Sequence, residues 1–208
     1  MRGLLVTFEG GEGSGKSTQI ARLASRLRGL GLDPLVTREP GGTPLAEGIR
    51  SLLLDVEPSP GPVAEALLME AARADLVTNV IRPALESGRV VLCDRYDDST
   101  LAYQGGGRGL DAAQLAAWNR AATGGLKPDL TLLFDVPPEV GLARRAADGR
   151  PNRLDREPPE FHARVRERFL ALAAAEPDRF VVLDGTLAPE VLEQTAWRAL
   201  ESVVKGAS

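Results

Sequence analysis

The chain has one cysteine, one histidine, no apolar run long enough to cross a membrane as a helix, and no excess of positive charge. Each shortage excludes something. A lone Cys93 forms no internal disulfide framework and no thiolate metal site, so it reads as a small apolar residue in a strand. His162 has no second His or Cys at ligand spacing and reads as a surface or capping residue rather than a metal ligand. Without an 18-residue apolar span or a signal-peptide pattern ahead of the first strand, no membrane association is expected, and the expected location is the cytoplasm. A net charge of −4 and a pI near 5.2 argue against a surface that coats nucleic acid, so the arginines must be judged by local placement. With 208 residues and 43% hydrophobic content, the chain can bury one good core. The expectation is a single domain over 1–208 with an inserted flap.

What is present organises around residues 8–18. Gly10, four intervening residues and Gly15-Lys16-Ser17 satisfy the phosphate-loop pattern G-x-x-x-x-G-K-[ST]. Glycines at 10, 11, 13 and 15 let successive backbone N–H groups, those of Glu12, Ser14 and Thr18 among them, converge on an anion. Lys16 is expected to reach the β- and γ-phosphates, and the Ser17 hydroxyl to take a place on Mg²⁺. The context supports the match. An apolar run, Leu4 to Phe8, precedes the loop, and Ile20, Leu23, Ala24 and Leu27 follow at helical spacing, so the phosphates would sit on a helix N-terminus.

Further along, Pro34 to Thr37, Arg89 to Cys93, Leu130 to Asp135 and Phe180 to Leu183 read as strands separated by helical segments. The fold class is therefore α/β, a five-stranded, parallel, doubly wound sheet. Thr43-Pro44 is a helix start, with Leu45, Ile49, Leu52 and Leu53 facing one side. A helix over about 63–81 is expected to bury Ala64, Leu67, Leu68 and Ala71, with Arg73 inside it; spacing alone equally allows Arg73 to be a solvated surface arginine. Asp94-Arg95-Tyr96 falls at a strand's carboxyl end, where open parallel sheets bind ligands, so Asp94 is a candidate for magnesium and Arg95 for phosphate. Residues 99–108 look too polar and glycine-rich for core, and Trp118 reads as core. The stretch from Arg144 to Arg156 is dense in arginine, with Gly149 and Pro151 to break a helix, and either folds over the site or is a solvated loop.

Phosphoryl transfer asks a protein for charge placement around the transferred group, and these parts supply it. Lys16 and the loop hold a donor, Arg95 spans donor and acceptor, and arginines 150, 153 and 156 close over the top, excluding water. Arg150 and Arg153 are the candidates for a lid arginine that reaches the donor phosphates. A GTPase switch would carry an Asn-Lys-x-Asp guanine reader, which is absent, and an ATP-driven motor would be larger. A kinase of a small phosphorylated acceptor fits best.

Residues 8–18, 37–43, 71–73, 94–96, 99–109 and 152–162 together resemble bacterial thymidylate kinase, a phosphate-loop nucleoside monophosphate kinase, in order and over nearly the whole chain. The resemblance implies ATP and Mg²⁺, a homodimer, a short lid at about 144–158, and conversion of dTMP to dTDP in the supply of dTTP; a kinase of another nucleoside monophosphate is the alternative. It places Glu12 near the acceptor's 3′-hydroxyl, Arg73 on the thymine carbonyl edge, Thr100 and Gln104 on base-contacting positions and Tyr103 against the sugar. Arg38, Arg50 and Arg95 fall near the acceptor phosphate, and Arg144 on the donor side; Arg153, inside the run that resembles the family lid, becomes the first choice of lid arginine and Arg150 the second. Met69 stands where family members commonly place a stacking Phe, and can pack on the ring through its sulfur.

Overall fold

The chain is described from a computed structural model for residues 2–147, 149 and 153–207. Five strands form one parallel sheet: β1 (Leu4–Glu9), β2 (Leu35–Arg38), β3 (Val90–Asp94), β4 (Leu130–Asp135) and β5 (Phe180–Asp184). Their order is β2-β3-β1-β4-β5, with Val6 opposite Leu92 on one side and Leu130 on the other. The chain fills one side of β1 and then crosses to the other, so the strand order reverses at the carboxyl end of β1, the place where such sheets bind ligands.

Alternation along β1 assigns its two faces. Leu4, Val6 and Phe8 pack against Ile20, Leu23 and Leu27 of α1 (Lys16–Gly29) and Leu192, Trp197 and Leu200 of α9 (Pro189–Gly206). Leu5 packs on the opposite face against Leu76 and Ile81, at the end of α3 (Pro62–Leu76) and in the π-helical turn Val77–Ile81 that leads into α4 (Arg82–Glu86). Thr7 and Glu9 share that face, and both are fully buried. Cys93 is buried in β3 as its apolar neighbours imply.

Five sequence expectations are corrected here. On α3 the expected inward residues Ala64, Leu67 and Ala71 are exposed, with Leu68 only partly buried; Glu65, Ala66, Glu70, Ala72 and Arg73 face in. The reason is that this helix walls a polar site, and its buried charges are paired. On α2 (Pro44–Leu54), capped by the Thr43 hydroxyl at the Ala46 N–H, Ile49 and Leu53 are buried while Leu45 and Leu52 are exposed. Residues 97–107 do not lie outside the core. They form α5 (Asp97–Thr100) and a π-helical segment (Leu101–Gly107), largely buried under α8 (Pro159–Ala175), because a Cβ on Gly107 would lie 2.4 Å from the Phe161 ring. These glycines are contact surface for a helix. His162 is buried against Phe161 rather than at the surface, and Trp118, on α6 (Ala112–Thr123), is only partly buried.

Candidate active site

The phosphate loop leaves β1 and turns into α1 with Gly15 at φ 90° as the cap. It runs so close to α7 (Pro138–Ala147) that a Cβ on Gly13 would lie 2.0 Å from the Gly141 carbonyl oxygen, and one on Gly141 would lie 2.2 Å from that of Glu12. Only paired glycines permit this contact. Within the loop, Lys16 Nζ donates to the carbonyls of Gly10 at 3.1 Å and Gly11 at 2.9 Å and to Ser14 Oγ at 3.1 Å. Burial, with Arg95 adding to it, pushes the Lys16 ammonium down to about 8 against the pull of Asp94, Glu12 and Glu9.

A cavity of about 420 Å³ opens over the loop. Glu12 to Thr18 line its floor, and its walls carry Arg38, Arg50, Arg95, Arg144 and Arg145 alongside Glu39 and Asp94. Six basic side chains against three acidic ones make it a trap for polyphosphate. Sequence reasoning singled out Arg144 and missed Arg145; the adjacent pair sits one helical step apart, and only the third dimension shows both turned to the loop. Arg144 Nη1 donates to the Gly185 carbonyl at 2.8 Å, while Arg145 pairs with Asp155. Arg50 donates to the Pro40 carbonyl, and Arg38 pairs with Glu47. Ser17 Oγ donates to Asp94 Oδ2 at 3.2 Å, which sets two hard oxygen donors side by side at the cavity. Such a pair suits Mg²⁺, which takes few protein ligands and keeps waters.

Arg95 holds the centre with an uncommon backbone, φ 71° in a residue with a Cβ. Its neighbours fix this turn: Arg95 N–H donates to the Phe8 carbonyl, and Tyr96 N–H donates to Glu9 Oε1 at 2.7 Å. Ser99 Oγ donates to the other Glu9 oxygen at 2.6 Å. The Arg95 guanidinium then donates to the Gly10 carbonyl at 3.0 Å and Glu12 Oε1 at 2.8 Å. Burial alone would raise the Glu12 carboxyl, but Arg95, Lys16 and the Tyr103 hydroxyl outweigh it and hold Glu12 at about 2. Glu12 is therefore an ionised acceptor at neutral pH.

Arg95 also lines a second, smaller cavity of about 50 Å³ with Glu65, Met69, Ser99, Tyr103, Gln104, Arg153 and Leu154. Met69, Tyr103 and Gln104, which the resemblance put on the acceptor, are thus brought together. Arg73 and Thr100 are not. Arg73 has no exposed side-chain surface and spends its guanidinium on Glu39, Glu70, Asn119, Thr100 Oγ1 and the Tyr96 carbonyl. It stands behind the wall, neutralising two carboxylates, instead of reaching into the cavity. Arg153 is also displaced from its expected place near the donor phosphates: its Nε donates to the Leu53 carbonyl at 3.1 Å and its Nη2 to Glu65, because that buried carboxylate offers the nearest counter-charge. Arg156, in the short 3₁₀ turn Leu154–Arg156, is exposed, and no partner for it is found among the described residues. Arg150 lies outside the described residues.

A phosphate loop at a sheet's switch point, ringed by arginines and joined to a second cavity, defines a phosphate-loop enzyme with donor and acceptor sides. The thymidylate kinase family model matches residues 8–196, and the chain belongs to that family. It is 58% identical to the thymidylate kinase of Thermomicrobium roseum, over 96% of this chain and 95% of that one, and 53% identical to that of Deinococcus radiodurans, over 96% and 97%. The crystal structure of thymidylate kinase from Ehrlichia chaffeensis superposes with a TM-score of 0.80 at 31% identity, covering 97% of this chain and 99% of that one.

Proposed function

We propose that the chain transfers the γ-phosphoryl group of ATP, with Mg²⁺, to the phosphate of dTMP, giving dTDP for dTTP supply. One observation carries this reading: Arg95 lines both cavities, so a single guanidinium faces the donor phosphates on one side and an acceptor phosphate on the other. Lys16 and the loop N–H groups hold the donor, with Arg144 beside Gly13 and Gly185. Ser17 and Asp94 would hold Mg²⁺, which when bound neutralises phosphate oxygens. Arg38 and Arg50 face the acceptor phosphate, Glu12 accepts from the sugar hydroxyl with Tyr103 packed beside it, and Met69 packs on the base. Arg73 and Thr100 support this wall from behind.

Residues 144–158 act as the lid of a single domain. Exposed Leu45 and Leu52 on α2 and Val63 and Leu67 on α3, two helices packed on one another, support a homodimer through that face. The enzyme is read as cytoplasmic, acting on a small-molecule substrate without nucleic-acid or membrane partners; no helix among the described residues is long and apolar enough to cross a membrane. Coupled ADP release across a panel of nucleoside monophosphates tests the reading: dTMP is expected to be the best acceptor, and a better one sinks the assignment.

A further inference from the structure

Glu65, on α3, is 2% exposed and is clasped from three directions. Arg108 donates to both its oxygens, each at 3.2 Å, and Arg153 donates to Oε2. Gln104 Nε2 donates to Oε1 at 2.8 Å. Burial alone would raise this carboxyl, but the hydrogen bonds from Arg108, Arg153 and Gln104 outweigh it and hold the group below the usual carboxylate range.

An ionised carboxylate only accepts hydrogen bonds, so the Gln104 amide has a single orientation here: its NH₂ faces Glu65 and its carbonyl faces away. That carbonyl oxygen, Oε1, is buried and has no hydrogen-bond partner among the described residues. It belongs to a residue that lines the acceptor cavity. A buried acceptor left unpaired is a standing penalty until a ligand brings a donor.

We propose that Glu65 is a specificity-positioning residue: by fixing the Gln104 amide it presents a carbonyl to the base. The site then takes pyrimidines that carry a ring N–H beside a 4-oxo group, and rejects 4-amino pyrimidines, whose ring nitrogen at that place is an acceptor. The inference rests on the acceptor reading above and deepens it, because discrimination is assigned to a carboxylate that acts through a neighbouring amide. A site built to meet a donor discriminates strongly against an analogue lacking it, since two acceptors would face each other in a dry cavity.

The test compares kcat/KM for dTMP, dUMP and dCMP in the wild-type chain, in Glu65→Gln and in Glu65→Leu/Arg108→Leu. In Glu65→Gln the new amide can pair with Gln104 either way round, so Gln104 is free to turn its NH₂ to the base. The dTMP-to-dCMP ratio is expected to fall at least about tenfold, with dCMP efficiency rising in absolute terms, while dUMP, which keeps the ring N–H, tracks dTMP. The double variant removes charge of both signs, so it does not leave Arg108 facing an empty buried site, and it decides the matter if the single variant fails to fold. Parallel loss for all three acceptors, with the ratios unchanged, overturns the proposal and leaves Glu65 a structural residue. A wild-type chain that ignores dTMP would instead bring down the acceptor reading, and this inference with it.

Discussion

The two cavities that meet at Arg95 treat charge in opposite ways. Over the phosphate loop, six basic side chains outnumber three acidic ones in a space of about 420 Å³, and even with Arg38 paired to Glu47 and Arg145 to Asp155 the lining keeps a net positive charge for an anion. Around and behind the smaller cavity the charges are matched in place: Arg73 with Glu70, Arg108 and Arg153 with Glu65. The first region uses charge to bind and react, and the second uses it to hold polar groups in one orientation. An arginine therefore has no fixed meaning in this chain. Its partners decide whether it binds a ligand or builds the wall.

The comparison breaks most sharply at Arg73. As a paired, fully buried hub, its loss strands Glu39 and Glu70 without counter-charge, and Arg73→Ala is expected to cost about 3–5 kcal/mol of stability, read by urea unfolding. If unfolding is unchanged and only the KM for dTMP rises, Arg73 reads the base directly, and the contrast between the regions fails. Lys16→Ala makes the opposite statement. Its loss should leave the unfolding midpoint close to wild type and lower kcat on the order of a hundredfold or more, because the ammonium stabilises charge that develops during transfer. Near-normal turnover in a folded variant would refute the phosphate-loop chemistry.

How far the sequence could be read follows the same division. The phosphate loop and the five strands were legible because their signals are local: glycine spacing around Lys16, and short apolar runs, buried on both faces in β1, β3 and β4 and half exposed in the edge strands β2 and β5. Arg38, Arg50 and Arg95, which the resemblance put near the acceptor phosphate, all line the cavity over the loop, and of the three only Arg95 also lines the smaller one. The acceptor wall was not legible by periodicity. Helix α3 turns Glu65, Glu70 and Arg73 inward, so its apolar residues mark the wrong face, and the partners that make this burial tolerable lie on four other segments. Gly106 and Gly107 misled for a related reason. Their segment reads as too glycine-rich for core, yet their function is to admit α8, since a Cβ on Gly106 would come within 2.8 Å of Arg168 Cβ.

Arg153 and Arg156, in the segment proposed as a lid, fall on either side of the divide. Arg153 is docked on Glu65, whereas Arg156 is exposed and has no partner found among the described residues. Arg156 is thus the better placed to meet donor phosphates on closure. Arg156→Ala should lower kcat about tenfold with little change in either KM, as expected for a contact formed mainly in the transition state. Arg153→Ala should act chiefly on the KM for the acceptor. The reverse pattern in steady-state kinetics would restore the sequence-based choice of Arg153.

A change of pH probes the seam between the regions. Glu9 lies beneath Arg95 and fixes its turn through Tyr96 N–H and Ser99 Oγ. Burial, reinforced by the charge of Asp98 and opposed by Arg95, raises its carboxyl from 4.5 to about 8. Between those two values the native state binds a proton that the unfolded chain has released. Glu9 therefore contributes stability that is fully present below about pH 4.5 and is lost as pH rises through 8, with a slope of at most about 1.4 kcal/mol per pH unit. Glu9→Gln keeps both hydrogen bonds, because its carbonyl accepts from Tyr96 N–H and its NH₂ can donate to Ser99, but it removes the titration. Denaturant unfolding at several values between pH 5 and 8.5 should show the variant gaining on the wild-type chain as pH rises. A constant difference across that range would mean that Glu9 stays ionised throughout, held by Arg95, and that the seam belongs electrostatically to the cationic side.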